Sequence, residues 1–209
     1  MDVAIAKQFS AYSAPLRWGF SVLLVAAFLL AVANPSSAQQ MAVTIDPAAT
    51  QISFTLGATM HTVHGTFKLK SGQLQWDAAT GRASGSIVID ATSGNTDNSG
   101  RDKNMHGQVL ESTKFPEIVF TPTQIKGTLA REGNSQLEVS GVIRLHGQNH
   151  DTTLNLAVQP GPNGTLQATT QFPVPFKSWG LHDPSTFLLH VADTVSLEIH
   201  ATARIAASN

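Results

Sequence analysis

The 209-residue sequence has no cysteine, one tyrosine and few charges, since Asp, Glu, Lys and Arg together make up 13% of it. Without cysteine the chain has no disulfide staple, no cysteine nucleophile and no site for an N-terminal lipid anchor on cysteine. Its net charge of −1 gives no indication of nucleic-acid binding. No polybasic run favours an anionic membrane surface. The composition therefore points away from nucleic acids and towards a fold stabilised by its apolar core.

Motifs of catalysis and of cofactor binding are also missing. There is no G-x-S-x-G and no glycine-rich phosphate loop opening a helix. The eight histidines match no metal-ligand spacing, so we predict no metal and no cofactor. His61 and His150 lie near the ends of predicted β-strands, on the apolar face that these strands turn away from solvent. They leave one alternative open, a barrel hydrolase or isomerase that uses them as acid/base groups or metal ligands.

One long apolar run, Trp18–Ala33, lies near the N-terminus after Lys7 and Arg17. It is followed by Ser36-Ser37-Ala38, a small-residue site typical of signal-peptide cleavage. We predict that residues 1–38 are a signal peptide cleaved after Ala38, with cleavage after Ala33 as a second option. The run is short for the roughly 20 residues of a membrane span. We therefore expect a periplasmic or secreted protein without a permanent membrane span, rather than an uncleaved anchor.

The remaining segment, residues 39–209, has the size of one domain. Removing Lys7, Arg17 and Asp2 from the totals leaves 11 basic and 13 acidic residues, a net charge of −2. No repeat of solenoid period occurs in it. A homodimer is compatible with this sequence, which gives no direct indication of the oligomeric state.

Apolar and polar residues alternate through most of this domain. In the segment 137–145, Leu137, Val139, Ile143 and Leu145 share one parity with Gly141. Successive side chains on a strand point to opposite faces, so each segment has one dry and one wet face. Similar alternation in 51–56, 62–70, 153–159 and 194–205 indicates an all-β protein of about eight strands.

Turn signals separate these strands. They include Lys70-Ser71-Gly72, Ala79-Thr80-Gly81, Glu132-Gly133-Asn134, Gly147-Gln148-Asn149 and Gly161–Gly164. Their spacing favours hairpins and hence an antiparallel meander. A one-sided sheet of this size buries its dry face in a sandwich or by closing into a barrel. The stretch Ala91–Gly100 is rich in Gly, Asn, Ser and Thr, and we interpret it as an exposed loop that an interaction module would present to a partner.

The segment Arg101–Phe120 differs from its surroundings. Met105, Val109 and Leu110 have helical spacing and predict one short helix with an apolar stripe. Phe115-Pro116 ends the helical pattern, and Ile118 and Phe120 restart the alternation. We expect this helix to close or border one end of a barrel.

The order of these elements resembles the YceI-like, polyisoprenoid-binding family of exported proteins. The resemblance covers nearly the whole of residues 39–209, and its order and spacing are more specific than any single element. The matching segments are Ile45-Asp46, Ile52–Phe54, Val63–Phe67, Gly72, Asp77, Arg101-Asp102, Met105, Leu110, Phe115–Phe120, Gly141, Leu145–Gly147, His150, Phe176–Leu181 and Asp193–Val195.

The resemblance implies an extended antiparallel, lipocalin-like β-barrel with one short helix and an apolar tunnel for an isoprenoid, such as a polyprenyl phosphate or a quinone. We expect a binding protein that sequesters or carries this lipid rather than an enzyme. Small residues on the dry face leave room along the axis, unless the glycines mark bulges in a packed core; they are Gly65, Gly85, Gly141, Ala201 and Ala203. The expected ligand-binding residues are Phe54, Phe67, Ile87, Ile89, Met105, Val109, Leu110, Phe115, Phe120, Gly141, Ile143, Leu154, Leu156, Phe172 and Trp179.

Polar contacts to a head group are expected at one end of the barrel. The candidates are His61, Arg101 and His150. The proline-interrupted stretch 173–184 cannot form a regular central strand. Its aromatic residues and their neighbours, Phe172, Phe176, Trp179 and Phe187, form either a lid over an opening or a permanent plug.

Overall fold

The computed structural model describes residues 40–207. The predicted signal peptide and both cleavage sites lie outside this range. Nine antiparallel strands make up most of the described chain: β1 Gln40–Ile45, β2 Gln51–Ala58, β3 His61–Asp77, β4 Ala83–Asn95, β5 Glu117–Lys126, β6 Ser135–Leu145, β7 Gln148–Pro160, β8 Thr165–Val174 and β9 Val195–Ala207.

One short helix lies between β4 and β5, as predicted. It consists of α1, Ser99–Asn104, and a π-helical turn, Met105–Val109, that continues it. The Asn98 side chain caps α1 by accepting a hydrogen bond from the Arg101 amide. Short 3₁₀ turns at Pro47–Ala49 and Pro162–Gly164 connect β1 to β2 and β7 to β8.

The sheet closes on itself through the pairing of β3 with β4. Strands β1 and β2 share one position in the ring, because both pair with β3 and β9 at different heights. β2 pairs with the first half of β3, and β1 pairs with its last five residues, Gln73–Asp77. The barrel thus has eight strand positions, which confirms the predicted extended antiparallel barrel over the sandwich.

The alternation predicts the buried face correctly on most strands. On β6, the residues Leu137, Val139, Gly141, Ile143 and Leu145 are all buried, whereas Arg144 is exposed. With one face of every strand directed into the barrel, the apolar residues line a continuous bore.

The turn predicted at Lys70–Gly72 is wrong. These residues lie inside the 17-residue strand β3, at a register shift between Leu69, which pairs with Ile89, and Ser71, which pairs with Val88. Such a bulge inserts one unpaired residue and bends the strand. As a result the buried parity changes along β3, from Val63 and Leu69 to Gly72 and Trp76.

The loop predicted at Ala91–Gly100 is also largely wrong. Residues up to Asn95 belong to β4, and Ala91 is only 2% exposed. Thr96 is buried and donates from its backbone and hydroxyl to Asp102 Oδ1, at 3.0 and 2.5 Å. The segment is therefore mostly strand and is hydrogen-bonded to α1, while Thr92, Asn95 and Asp97–Gly100 are exposed.

Candidate functional site

The bore of the barrel contains two cavities. The upper cavity has a volume of about 210 Å³ and lies beneath α1, the β2–β3 turn and the segment 175–194, which we call the lid. Its wall is mainly apolar and includes Phe54, Phe67, Met105, Val109, Leu110 and Ile118 from the barrel and helix, and Phe176, Leu181, Pro184, Leu189 and Val191 from the lid.

The lower cavity has a volume of about 150 Å³ and occupies the other half of the bore. Apolar side chains from all nine strands surround it, among them Ile87, Ile89, Phe120, Leu154 and Leu156. Ala201 and Ala203 of β9 also line it, so these small residues leave space along the axis as the sequence predicts.

No described residue lines both cavities, which we interpret as a partition of side chains between them. On β2 the boundary falls between Ile52 below and Phe54 above, and on β3 between Leu69 and Phe67. The rings of Phe54 and Phe67 lie 5.3 Å apart and tilted by 36°. They form one side of the partition.

The opposite side of the partition comes from β6 and β8. Phe172 is buried between Thr170, which lines the lower cavity, and Val174, which lines the upper cavity. Ile143 lies in the same way below Leu145 on β6. Both share the inward face of their strands yet line neither cavity, so their side chains fill the bore at this height.

The glycines expected to leave room for a ligand do not do so. A Cβ on Gly141 would lie 2.8 Å from two atoms of the Phe120 ring, and a Cβ on Gly65 would lie 2.5 Å from Phe54 Cε1. Aromatic rings from the neighbouring strands occupy the space above both glycines. The prediction that Gly141 opens the tunnel is therefore wrong, and its role is to let the Phe120 ring pack flat against β6.

A polar cluster borders the upper cavity beside α1. Arg101 donates from Nε to the Thr96 hydroxyl at 2.8 Å and from Nη2 to the Thr96 carbonyl oxygen at 2.7 Å. None of the ion pairs between described residues includes Arg101. Since Arg101 and Asn104 both line the cavity, the guanidinium places a positive charge beside an otherwise apolar space.

The two histidines singled out in the sequence occupy different places. His61 lines the upper cavity and is exposed. His150 lines neither cavity, because its ring stacks on Trp179 at 4.2 Å with an interplanar angle of 4°. The structure does not bring them together, so they form no acid/base pair. Among residues 40–207, no group of three His, Asp or Glu side chains is arranged to hold a metal ion.

Ten of the fifteen predicted ligand-binding residues line a cavity, five in each. Phe54, Phe67, Met105, Val109 and Leu110 line the upper one, and Ile87, Ile89, Phe120, Leu154 and Leu156 the lower one. Of the predicted head-group contacts, His61 and Arg101 line the upper cavity. Five predicted residues line neither cavity: Phe115, Gly141, Ile143, Phe172 and Trp179.

Phe115 and Trp179, which line neither cavity, pack against histidine rings instead. Phe115 packs against His146, with ring centroids 4.4 Å apart, and lies 2.8 Å from where a Cβ on Gly147 would be. Trp179 stacks on His150 and thereby attaches the lid to β7. Phe187, expected with the lid aromatics, is 94% exposed and covers nothing.

Several lid residues that line the upper cavity were not predicted from the sequence. Leu181, Leu189 and Val191 contribute to its wall, but they lie in an irregular segment where no periodicity marks an inward face. Trp76 on β3, which lines the lower cavity, was also missed, because it comes after the bulge that reverses the parity of that strand.

Lys177 holds the lid together. Its Nζ lies 2.8 Å from carboxylate oxygens of Asp183 and Asp193 and donates to the Val191 carbonyl oxygen at 3.0 Å. Hydrogen bonds to these two carboxylates raise the pKa of Lys177, and the Lys177 ammonium together with Ser185 holds the pKa of Asp183 well below its usual range. One side chain thus joins the beginning, middle and end of the lid.

We expect Lys177→Met to loosen the lid and to speed ligand release by about tenfold or less, with a small change in melting temperature. The methionine keeps the apolar stem but removes three bonds to the lid. Dissociation rates measured by stopped flow check this, with Lys114→Met as a matched surface control. An unchanged release rate would show that the lid does not control exit from the upper cavity.

Burial lowers the pKa of His150, so the neutral ring is favoured in the folded protein. Stability is then unaffected above the ordinary pKa of about 6.5 and falls as the pH drops from there towards the lowered value. We expect His150→Gln to remove this part of the acid sensitivity below pH 6.5. Unfolding curves at several pH values check this, and an identical pH dependence in both proteins would contradict it.

The barrel mouth carries exposed apolar side chains. Met60 is 98% exposed, and Phe187 and Leu188 are 94% and 81% exposed. Thr59 beside Met60 bonds the backbone of His190 through its amide at 2.8 Å and its hydroxyl at 3.2 Å. This contact brings the β2–β3 turn and the tip of the lid to the same side of the upper cavity.

No helix among the described residues is long and apolar enough to cross a membrane.

Comparison with known proteins agrees with this architecture. The model of the YceI-like domain family matches residues 43–203. A UPF0312 protein of Pseudomonas putida is 33% identical over 94 residues, 44% of this chain and 46% of the relative. A UPF0312 protein of Vibrio cholerae is 30% identical over 95 residues, with 44% and 48% covered. The chain spans about half the length of the curated relatives it matches.

Solved structures share the fold at low sequence identity. A polyisoprenoid binding domain from Saccharophagus degradans, implicated in plant cell wall breakdown, has a TM-score of 0.59 at 16% identity, with 78% of this chain and 98% of that one covered. BcnA of Burkholderia cenocepacia gives 0.61 at 17% identity, with 78% and 99% covered. The family match extends over most of the chain, and with the barrel and its two apolar cavities it leads to one conclusion: the chain belongs to the YceI-like domain family.

Proposed function

We propose that this protein binds an isoprenoid lipid in the bore of its barrel and carries or sequesters it outside the cytoplasm. The observation that carries the proposal is the pair of apolar cavities, whose walls contain side chains from every strand, from α1 and from the lid. The Saccharophagus degradans neighbour of the same fold is named as a polyisoprenoid binding domain, which supports the same ligand class.

Removal of apolar surface from water is the main driving force available to such a site. At about 25 cal/mol per Å², burying about 400 Å² of hydrocarbon contributes about 10 kcal/mol. Immobilising the chain offsets part of this gain. If this offset is about 4 kcal/mol, about 6 kcal/mol remains, which corresponds to a Kd of tens of micromolar without any polar contact.

The size of the cavities requires the partition to move. Ligand sites commonly have about 300–1,000 Å³, whereas the upper and lower cavities have about 210 and 150 Å³. A long chain therefore fits only if the side chains of Phe54, Phe67 and Phe172 rotate and join the cavities. Lipid affinity should then depend on chain length.

A titration with isoprenoids of increasing length tests the proposal. Delipidated protein is titrated with neutral isoprenoids from C15 to C50, and we expect saturable 1:1 binding that tightens with length until both cavities are filled. Affinity that stays flat beyond C15 would restrict the ligand to one cavity. The absence of saturable binding at every length would rule out the proposed function.

Export is part of the proposal and rests on the N-terminal sequence. Lys7 and Arg17, the apolar run Trp18–Ala33 and the small residues before Gln39 are typical of a cleaved signal peptide. The intact mass of the protein recovered from a periplasmic fraction tests it. A mass starting at Gln39 is expected, and an uncleaved chain in the cytoplasmic fraction would contradict export.

The exposed apolar residues at the mouth indicate how such a lipid is collected. We expect Met60, Phe187 and Leu188 to enter the surface of a donor membrane, because they are large apolar side chains almost fully exposed to water on the side of the upper cavity. The triple serine variant should transfer lipid from vesicles at least about fivefold more slowly while its equilibrium affinity changes little. Vesicle transfer followed by fluorescence checks this, and equal transfer rates would exclude a role for the three residues.

A further inference from the structure

The lower cavity contains two buried polar atoms without a partner. Trp76 and Thr170 both line it and are only 4% and 8% exposed. Neither the Trp76 Nε1–H nor the Thr170 hydroxyl has a hydrogen-bond partner among the described residues. The cavity's other hydroxyl, on Thr50, donates to the Asp46 carbonyl oxygen at 2.7 Å. The two unpaired groups are therefore exceptional within an apolar wall.

These groups lie at different depths of the lower cavity. Trp76 is on β3 next to the turn that begins at Asp77, at the lower end of the barrel, where it also lines a surface cleft that includes Arg131. Thr170 pairs with Ile199 on β9 and lies one inward position below Phe172 of the partition. An oxygen-bearing group between the floor and the partition therefore finds a donor at either end of the cavity.

A buried donor without an acceptor destabilises the fold, which makes a partner for these groups expected. Indole only donates, so Trp76 requires an acceptor such as a carbonyl, ether or hydroxyl oxygen. A buried water molecule is held by two to four polar partners, and each of these sites offers one. An anionic group is disfavoured because no cation lines this cavity and an unpaired buried charge is costly.

We propose that the lower cavity is a subsite for an uncharged oxygen-bearing group of the lipid, a carbonyl or a hydroxyl, which accepts a hydrogen bond from Trp76 or Thr170. The lipid then enters with this group first, and its hydrocarbon chain passes the partition into the upper cavity. This inference rests on the proposed function and deepens it. Such a subsite favours neutral lipids, such as isoprenoid ketones, quinones and alcohols. It disfavours polyprenyl phosphates that would place their phosphate in the lower cavity.

Matched C15 probes test the subsite. Farnesene, farnesol and farnesal carry the same C15 chain and differ in a hydrocarbon, hydroxyl or aldehyde carbonyl terminus. Their affinities are measured by equilibrium dialysis for the wild type, Thr170→Val and Trp76→Phe. Ile199→Val is the control, because it changes the wall beside Thr170 without removing a polar atom. Thermal unfolding of each ligand-free variant confirms that it is folded.

The wild type should prefer the aldehyde or the alcohol over farnesene by about tenfold, the size of one net hydrogen bond. At least one of the variants Thr170→Val and Trp76→Phe should reduce this preference to about threefold or less. The affinity of that variant for farnesene should remain almost unchanged. The control should keep the full preference. Ligand-free Thr170→Val should also unfold at a higher temperature, since its unpaired hydroxyl is gone.

Two results would overturn the inference while leaving the proposed function intact. The first is equal affinity of the wild type for all three probes. The second is a preference that survives unchanged in both Thr170→Val and Trp76→Phe, which would place the oxygen group at the mouth beside His61 and Arg101. If none of the three probes binds and longer isoprenoids also fail, the proposed function itself is wrong.

Discussion

Met105→Asp should reduce isoprenoid affinity by at least about a hundredfold. Met105 lines the upper cavity from the π-helical turn, and its Cε lies 2.8 Å from where a Cβ on Gly94 would be. A carboxylate at this position brings water into an apolar wall, and burying it without full compensation costs several kcal/mol. The affinity of delipidated protein for a C40 isoprenoid is the measurement.

Ligand-free Met105→Asp should lose much less stability than affinity, about 1–2 kcal/mol. Met105 is only partly buried, and Arg101 precedes it by four residues and lines the same cavity, so the new carboxylate has a cation nearby. Met105→Leu serves as the control and should keep both affinity and stability. If Met105→Asp unfolds but the residual folded protein binds normally, the helix is part of the core and not of the ligand site.

Phe172→Ala should open the partition between the two cavities. Truncating this buried ring costs about 3–5 kcal/mol of unfolding free energy, because a void replaces packed atoms. The same void joins the upper and lower cavities, so a long chain no longer has to displace the ring. We expect lower stability of the ligand-free protein together with faster association of C40 isoprenoids.

Phe172→Leu is the matched control for this prediction. It retains most of the side-chain volume, so it should cost about 1–2 kcal/mol and leave the association rate close to that of the wild type. Denaturant unfolding and stopped-flow binding provide the two readouts. Slower association in Phe172→Ala would show that the Phe172 ring is a contact surface for the lipid and not a barrier to its passage.

The sequence predicts the barrel well because period-two alternation depends on local chemistry alone. On β6 the inward positions from Leu137 to Leu145 follow from the pattern. The bulge at Lys70 does not, since Lys70-Ser71-Gly72 has the composition of a turn. The inward parity after it, including Trp76, is therefore lost to sequence reasoning.

The interior of the barrel is less predictable than its wall, because it depends on contacts between strands far apart in sequence. Gly65 and Gly141 are correctly placed on the dry face, but the rings of Phe54 and Phe120 fill the space that they leave. Phe172, expected to form part of a lid or plug, lies instead on the inward face of β8, and only the three-dimensional arrangement shows that it separates two cavities. The lid residues have no periodic signal at all.

The sequence predicts that the ligand is apolar but does not predict the polar group at the end of the ligand. A pattern of Ile, Leu and Val indicates hydrocarbon binding without fixing the end group. Trp76 and Thr170 carry that information, and neither stands out in the sequence. Their significance arises from burial without a hydrogen-bond partner, which is a property of the folded barrel.

Mass spectrometry of lipid extracted from the protein tests the central claim most directly. The protein is purified from the extracytoplasmic fraction of its own host without detergent, and its bound lipid is released by denaturation and quantified against protein. We predict close to one equivalent of an isoprenoid lipid per chain, and its absence from the Met105→Asp variant prepared in parallel. Protein that is consistently empty, and that takes up no C30–C50 isoprenoid when these are supplied, would contradict the account.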